Sequence, residues 1–234
     1  MHTPSVLHSR AWSAGVVLLV LALAGCGLRR DTVVGPSSSG PAINGVVLRS
    51  GVAIGDEWVK LYDNATGVLL DSALTNSAGQ YSIPAGSAGL RLVKVSSSLP
   101  GDFGYVRYLF TGTGDSMEMP PLDLAAQGFD LATPADSAMV AQPNPIAPIH
   151  FTWTPYQGTY KWSGARVADS LGVQVWSSAQ GRETAADWNG VGNSDPPYTG
   201  QLAPPGRYQW RVKIHLPNGV QAATRQRLIS IGEI

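Results

Sequence analysis

From Ile43 onward no apolar pattern of helical period holds over ten residues; short apolar runs recur instead, broken by Gly, Pro, Asn and Asp. Many of these runs alternate apolar with polar positions, which is how a strand with one buried face reads. Residues 43–48 form the first run, Gly51 and Gly55 follow, and Trp58-Val59-Lys60-Leu61-Tyr62 forms the next. Asp63-Asn64-Ala65-Thr66-Gly67 predicts a turn, because Asn and Gly tolerate positive φ and Asp bonds its own following backbone. Residues 68–74 return, Asn76-Ser77-Ala78-Gly79 turns again into 80–83, and runs at 90–95, 105–110 and 116–124 complete about seven strands. That number at that spacing predicts a β-sandwich of roughly 85 residues.

The second half changes character, holding five of the seven tryptophans between Trp153 and Trp210. Residues 125–148 are rich in Ala, Pro and Gln and read as a linker plus a first edge strand. Pro134, Pro143, Pro145 and Pro148 cannot donate to a central ladder. Ile149, Phe151 and Trp153 alternate with His150, Thr152 and Thr154, and Leu171, Val173 and Val175 repeat the pattern. Residues 206–214 are the clearest strand, with Tyr208, Trp210, Val212 and Ile214 inward and Arg207, Gln209, Arg211 and Lys213 toward water. Asn218-Gly219 makes a hairpin turn into a closing strand over 224–231.

The N-terminus is patterned differently. Arg10 precedes an apolar run over residues 11–24, about 21 Å long as a helix and short of a hydrocarbon core of roughly 30 Å. A short apolar segment behind a basic start predicts a signal peptide. It ends in Leu23-Ala24-Gly25-Cys26, which resembles the bacterial lipobox. The resemblance implies that Cys26 is diacylated on sulfur and becomes the mature N-terminus. Acyl chains at about 0.8 kcal/mol per buried CH₂ would then hold the protein on a membrane. Gly27 follows rather than Asp, so by the same resemblance the inner-membrane retention signal is missing and the outer membrane is the expected site. Residues 27–41, rich in Gly, Ser and Pro, suit a flexible tether.

Two further resemblances bear on the body. Ile43-Asn44-Gly45-Val46-Val47, Val59-Lys60-Leu61-Tyr62-Asp63, Thr66-Gly67 and Thr75-Asn76-Ser77-Ala78-Gly79-Gln80-Tyr81 resemble the carboxypeptidase regulatory-like (transthyretin-like) domains. These are non-catalytic spacers or docking units. Some related sandwiches carry a Lys–Asn isopeptide bond, which is rejected here because 43–48 has no Lys and 116–124 no Asn. Leu202-Ala203-Pro204-Pro205-Gly206-Arg207-Tyr208, with Phe151-Thr152-Trp153, resembles fibronectin type III-like domains, in which a tyrosine anchors its hydroxyl to nearby backbone. The expected fold is all-β: two consecutive antiparallel β-sandwich (immunoglobulin-like) domains, 42–125 and 126–234, after a cleaved signal peptide (1–25) and a flexible tether (26–41).

Composition narrows the function. Lys plus Arg and Asp plus Glu each number 16, so the formal charge is zero, and charged residues are 14%, against roughly 25% on average. Neutrality argues against nucleic-acid capture, which needs a clustered positive surface. The single cysteine excludes an internal disulfide and a Cys-based metal cluster. His150 and His215 are the only histidines after the signal peptide, and they show no metal-ligand spacing. Asp56-Glu57 is the one adjacent carboxylate pair considered for acid–base work, and Asp63 beside Asn64 and Thr66 fits a turn better than calcium. No catalytic residue, metal or cofactor is expected. Trp188 and Tyr198 fall in a predicted polar loop and are the candidate binding residues, either stacking on a sugar or folding back over an open end of the sandwich. The Tyr156, Tyr160 and Trp162 cluster around Gly158 is equally open. The expected protein is a non-enzymatic, lipid-anchored envelope module that binds or scaffolds another envelope component, a protein or a polysaccharide; the alternatives are a surface glycan-binding lipoprotein and, last, a hydrolase with a non-obvious site.

Overall fold

The structure, a computed structural model, describes residues 40–194 and 198–232. The expected signal peptide and nearly all of the tether lie outside the described residues, as does Cys26. Every regular element described is a strand.

The first half comprises β1 (Ala42–Arg49), β2 (Val52–Ala53), β3 (Trp58–Asp63), β4 (Leu69–Leu74), β5 (Gln80–Pro84), β6 (Gly89–Ser96), β7 (Tyr105–Gly112), β8 (Met117–Glu118) and β9 (Leu122–Asp123). One layer is β2-β1-β5, with β8 and β9 beside β1; the other runs β4-β3-β6-β7. Ile43, Val47 and Ile83 from the first layer and Val59, Val93 and Val106 from the second form a dry core. The single strand expected over 116–124 is instead two short ones, both parallel to β1. Pro120 and Pro121 have no N–H to give there, while the amides of Met119 and Leu124 reach the carbonyls of Asn44 (2.8 Å) and Leu48 (2.9 Å).

The turn after β4 explains its own sequence. Asn76 Oδ1 accepts from the amides of Ala78 (3.0 Å) and Gln80 (2.9 Å). Gly79 has φ of 70°, and a Cβ there would lie 2.6 Å from the Val47 carbonyl oxygen, so only glycine fits. Buried Tyr81 lies across Gly45, where a Cβ would sit 2.5 Å from the phenol oxygen. Burial pushes the Tyr81 phenol pKa well above the usual range.

The second half comprises β10 (Leu131–Thr133), β11 (Ala138–Ala141), β12 (Ile149–Trp153), β13 (Trp162–Asp169), β14 (Gln174–Ser177), β15 (Ala185–Trp188), β16 (Gly206–His215), β17 (Gln221–Ala223) and β18 (Arg227–Gly232). One sheet is β10-β12-β15; in the other, β16 is flanked by β13 and β18, with β14 and β11 outermost. The chain changes sheets at Pro134, after which β11 pairs parallel to β18. The Tyr208 hydroxyl donates to the Pro204 carbonyl, and burial pushes its pKa up to about 12.

Elements of the second half also differ from the sequence expectation. Strand β13, unassigned from its pattern, pairs along the length of β16. Leu171, expected on a strand, is 87% exposed at a turn where Asp169 Oδ1 accepts from the Leu171 and Val173 amides, each at 2.9 Å. The closing strand expected over 224–231 begins only at Arg227, and a separate short strand, β17, precedes it across a cut at buried Thr224, whose hydroxyl takes the Val212 amide (3.1 Å). The register moves by one residue across this bulge, from Lys213 opposite Ala223 to Trp210 opposite Arg227.

That cut lets β17 serve both halves. It pairs with β16 on one side and with β7 on the other, through Gln221–Arg107, Ala222–Val106 and Ala223–Tyr105. The outer sheet therefore runs without a break from β4 to β11. The Gly104 amide donates to the Ala223 carbonyl at 2.8 Å, and Arg107 bonds Gln221 Oε1 through Nε (3.1 Å) and an Nη (2.8 Å). Beneath this seam, fully buried Phe103 meets Phe129 edge-on with ring centroids 5.9 Å apart and Tyr156 at 5.7 Å. One hydrophobic cluster spans both halves.

Two outcomes follow from the seam. A Cβ at Gly104 would lie 2.8 Å from both Arg225 Cα and the Thr224 carbonyl. Gly104→Ala should therefore cost about 1–3 kcal/mol, whereas Gly232→Ala, with open space around it, should stay within about 0.5 kcal/mol; paired thermal melts check this. His215 stacks on Trp162 with ring centroids 3.9 Å apart. Burial first, then the charges of Arg107, Lys213, Lys161 and Arg166, holds its pKa below the usual 6.5. The unfolded chain then binds the proton more tightly, so the His215 contribution is fully present above pH about 6.5 and is lost as pH falls through the folded-state value. Denaturant titrations at several pH values should show a shallower acid loss in His215→Gln.

Candidate functional site

The two residues singled out as binding candidates have different fates. Trp188 ends strand β15 opposite Ile149 and is fully buried, so the loop placement expected for it is corrected. Its indole N–H donates to the Val191 carbonyl (3.1 Å). Its ring stacks on Trp176 (6.1 Å, 26°) and meets Tyr208 edge-on (5.9 Å, 70°). A ring enclosed in this way offers no face to a ligand and fills the core instead. The signal that it belonged on a strand was its alternation with Ala186, which the shortness of β15 concealed.

Tyr198 is half-buried, and its hydroxyl donates to Asp169 Oδ2 at 2.9 Å. Burial and the Asp169 carboxylate raise its pKa. The loop around it is tied down by the amide of Gly192 to the Gln201 carbonyl and of Gly200 to the Gly192 carbonyl, both 2.8 Å. A Cβ at Gly192 would collide with the Tyr198 carbonyl oxygen at 2.2 Å, so glycine permits this close approach.

The open groove at this end lies beside both residues and is lined by neither. About 570 Å³ in volume, it is bounded by Trp176, Asp187, Asn189, Asn193, Pro145 and Pro148 among others. Trp176 rests against Phe151 (5.7 Å, 23°). The Asn193 side chain is spent on β14: its Oδ1 accepts from the Ser177 amide and its Nδ2 donates to the Ser177 carbonyl, both 2.8 Å. Asn189 Oδ1 accepts from the Val191 amide at 3.1 Å. Asp187 is paired in register with His150, its Oδ1 lying 2.6 Å from Nδ1. Both side chains are well exposed. Trp176, nearly buried and stacked on both Phe151 and Trp188, gives this groove little surface, and its exposed rim is Asp187 beside His150.

The other chemistry-bearing residues are occupied structurally. Glu57 is tied to Arg49 at 3.1 Å, and Arg49 in turn to nearly buried Asp102 at 2.9 Å. The Asp102 carboxylate holds the Arg49 pKa above its usual value. Asp56, its sequence neighbour, is exposed, so the two do not act as a pair. Asp63 Oδ1 accepts from the Ala65 and Thr66 amides and the Thr66 hydroxyl, and these bonds hold its pKa low. Tyr156 and Tyr160 pack against each other at 6.3 Å behind Phe103 and Phe129. Among the described residues no group of three or more His, Cys, Asp or Glu is placed to hold a metal ion.

No family model matches the chain, and no curated protein matches it. Among solved structures it is similar to dimeric latent PorU from Porphyromonas gingivalis, at 15% identity, covering 76% of this chain and 16% of that one, with a TM-score of 0.34. A candidate carbohydrate-binding protein from Bacteroides uniformis is similar at 11% identity, covering 82% of this chain and 100% of that one, with a TM-score of 0.30. The fibronectin(III)-like modules of CbhA from Clostridium thermocellum are similar at 16% identity, covering 84% and 92%, with a TM-score of 0.29. The chain therefore spans about a sixth of the length of the PorU chain it resembles.

Because Trp188 is a core residue, Trp188→Ala should cost about 3–5 kcal/mol of stability. Tyr198→Phe, losing one hydrogen bond, should cost about 1 kcal/mol. Chemical denaturation of both variants checks the contrast.

Proposed function

We propose that this chain is a non-enzymatic binding or scaffolding module of the bacterial cell envelope, held at the outer membrane by acyl groups on Cys26. The observation that carries the scaffolding part is the seam. The halves over 42–125 and 126–234, which resemble carboxypeptidase regulatory-like and fibronectin type III-like modules in sequence, are joined where β7 pairs with β17, so a load on one would be passed to the other. The anchor rests on Leu23-Ala24-Gly25-Cys26 at the end of the apolar run, with the tether over 26–41 joining it to the body. Among the described residues, Asp63 is spent on a turn and on Arg91, and Glu57 and Asp102 on Arg49.

One observation favours a second reading, glycan binding: an open groove bounded by Trp176 and Pro145 has a polar rim at exposed Asp187. If that reading holds, Asp187→Ala weakens binding to an immobilised envelope polysaccharide while leaving the melting temperature unchanged. Equal retention of wild type and variant removes it.

For the principal reading, cells fed labelled palmitate should incorporate label into the wild-type chain and none into Cys26→Ser. The variant should also lose its membrane-bound mature form. Unchanged labelling and processing in Cys26→Ser overturns the anchor. In-cell crosslinking of the wild type should then recover one envelope assembly rather than a spread of unrelated proteins.

A further inference from the structure

The zero net charge conceals a strongly sorted surface. On the outer face of the continuous sheet, Lys60, Lys94 and Arg107 stand opposite one another on β3, β6 and β7, one per strand at a spacing of about 4.8 Å. Arg211 joins them from β16: Lys94 Nζ, the Arg107 guanidinium and the Arg211 guanidinium lie 5.0, 5.7 and 5.4 Å from the centre of the Tyr105 ring. Three cations thus converge on one aromatic ring at the seam. The charges that act on Lys94 are those of Arg211, Arg107 and Lys60, all of its own sign, and with burial they hold its pKa below the usual value.

The neighbouring row on the same face is apolar. Leu69, Tyr62, Leu92 and Leu109 stand opposite one another across β4, β3, β6 and β7. Leu69 is 49% and Leu109 40% exposed, and Leu90, one row further, is 43% exposed. Alternation explains the placement: Val59, Leu61, Val93, Val95 and Val106 take the inward positions of the same strands. A cationic band therefore runs beside an apolar band across one sheet face.

We propose that this face docks on an anionic lipid surface. The basic row would meet phosphate headgroups while the leucines and Tyr62 reach the boundary between headgroups and acyl chains. A soluble polyanion would satisfy the cations and leave the leucine row in water; a lipid surface satisfies both bands at once. The proposal rests on the envelope reading above only for which surface lies within reach. The tether over residues 26–41 can extend up to about 50 Å, enough to lay this face on the bilayer that would carry the anchor. The lipid anchor would then set the distance, and the sheet face the orientation.

The test needs a body without its anchor. Residues Thr32–Ile234 form one compact unit, and the described core and every described strand pairing lie within it. This fragment should sediment with phosphatidylcholine vesicles containing one-third phosphatidylglycerol and remain in the supernatant with phosphatidylcholine alone. At roughly a fivefold effect per cation near an anionic leaflet, Lys60→Gln with Lys94→Gln should weaken vesicle binding about twenty-five-fold. Leu109→Ser should weaken vesicle binding without changing retention on dextran sulfate; thermal melts matching wild type would show that these variants fold. Binding to neutral vesicles as strong as to anionic ones overturns the proposal. So does dextran sulfate binding with no vesicle binding, which makes the face a polyanion site. A dimer in solution that Leu109→Ser dissociates also overturns it, since a second copy would then cover the face. Because the fragment lacks Cys26, failure here leaves the palmitate result standing, and the reverse.

Discussion

Three residue pairs between β7 and β17 hold the architecture to a single plan. Without them β7 would end its sheet as a bare edge, with its backbone groups unpaired and open to association with another chain. Strand β17 is too short to stand alone and is kept in place by bonding on both sides. What makes the joint possible is a sequence of small concessions. Thr224 substitutes its hydroxyl for a ladder acceptor and bulges the strand, Gly104 lets two backbones meet at less than a side chain's width, and Ala222 and Ala223 are small enough to be buried entirely. Phe103, Phe129 and Tyr156 then exclude water beneath the ladder. Net gains near 1 kcal/mol per hydrogen bond are thereby backed by aromatic packing on the inner side of the joint.

The strands that alternate cleanly were legible because each carries its own instruction. β16 buries Tyr208, Trp210, Val212 and Ile214 and turns its charged positions outward along its whole length. The turn at Asn76–Gly79 was equally readable, since side-chain capping and positive φ are local properties. β13 was hidden because Gly164, Ala165 and Ala168 dilute the contrast between its faces. Its place is fixed by β16 alongside it, information that no window on β13 contains. Leu171 misled for the converse reason: an apolar residue continued an alternation into a turn that Asp169 closes by hydrogen bonding.

The candidate residues were legible as aromatic positions and not in their use: Trp188, the indole most suited to stacking on a ligand, was needed for the core. A large aromatic next to Asn-Gly looks like a loop residue by local chemistry. Its burial follows from Trp176 and Tyr208, which arrive from strands distant in the chain. Residue type announces what a side chain can do, and packing decides which capability is used.

Charge shows the same division more sharply. Along any one strand the cations of the outer face read as ordinary solvated positions, each alternating with a buried neighbour, and the totals cancel. Their concentration appears only when register sets Lys60 opposite Lys94 and Lys94 opposite Arg107, and when the seam brings Arg211 to the same tyrosine ring. A flat sheet converts positions remote in sequence into rows a few ångströms apart, so its electrostatic pattern belongs to strand order rather than to composition. The seam therefore has two consequences of one geometry. By fusing two sandwiches it removes a vulnerable edge, and by aligning their outer faces it brings like charges together at a cost in repulsion that the Tyr105 ring offsets only in part. Like charges set side by side by strand register would draw an anion, and in the lipid proposal the row of leucines beside them selects one that arrives with an apolar layer of its own.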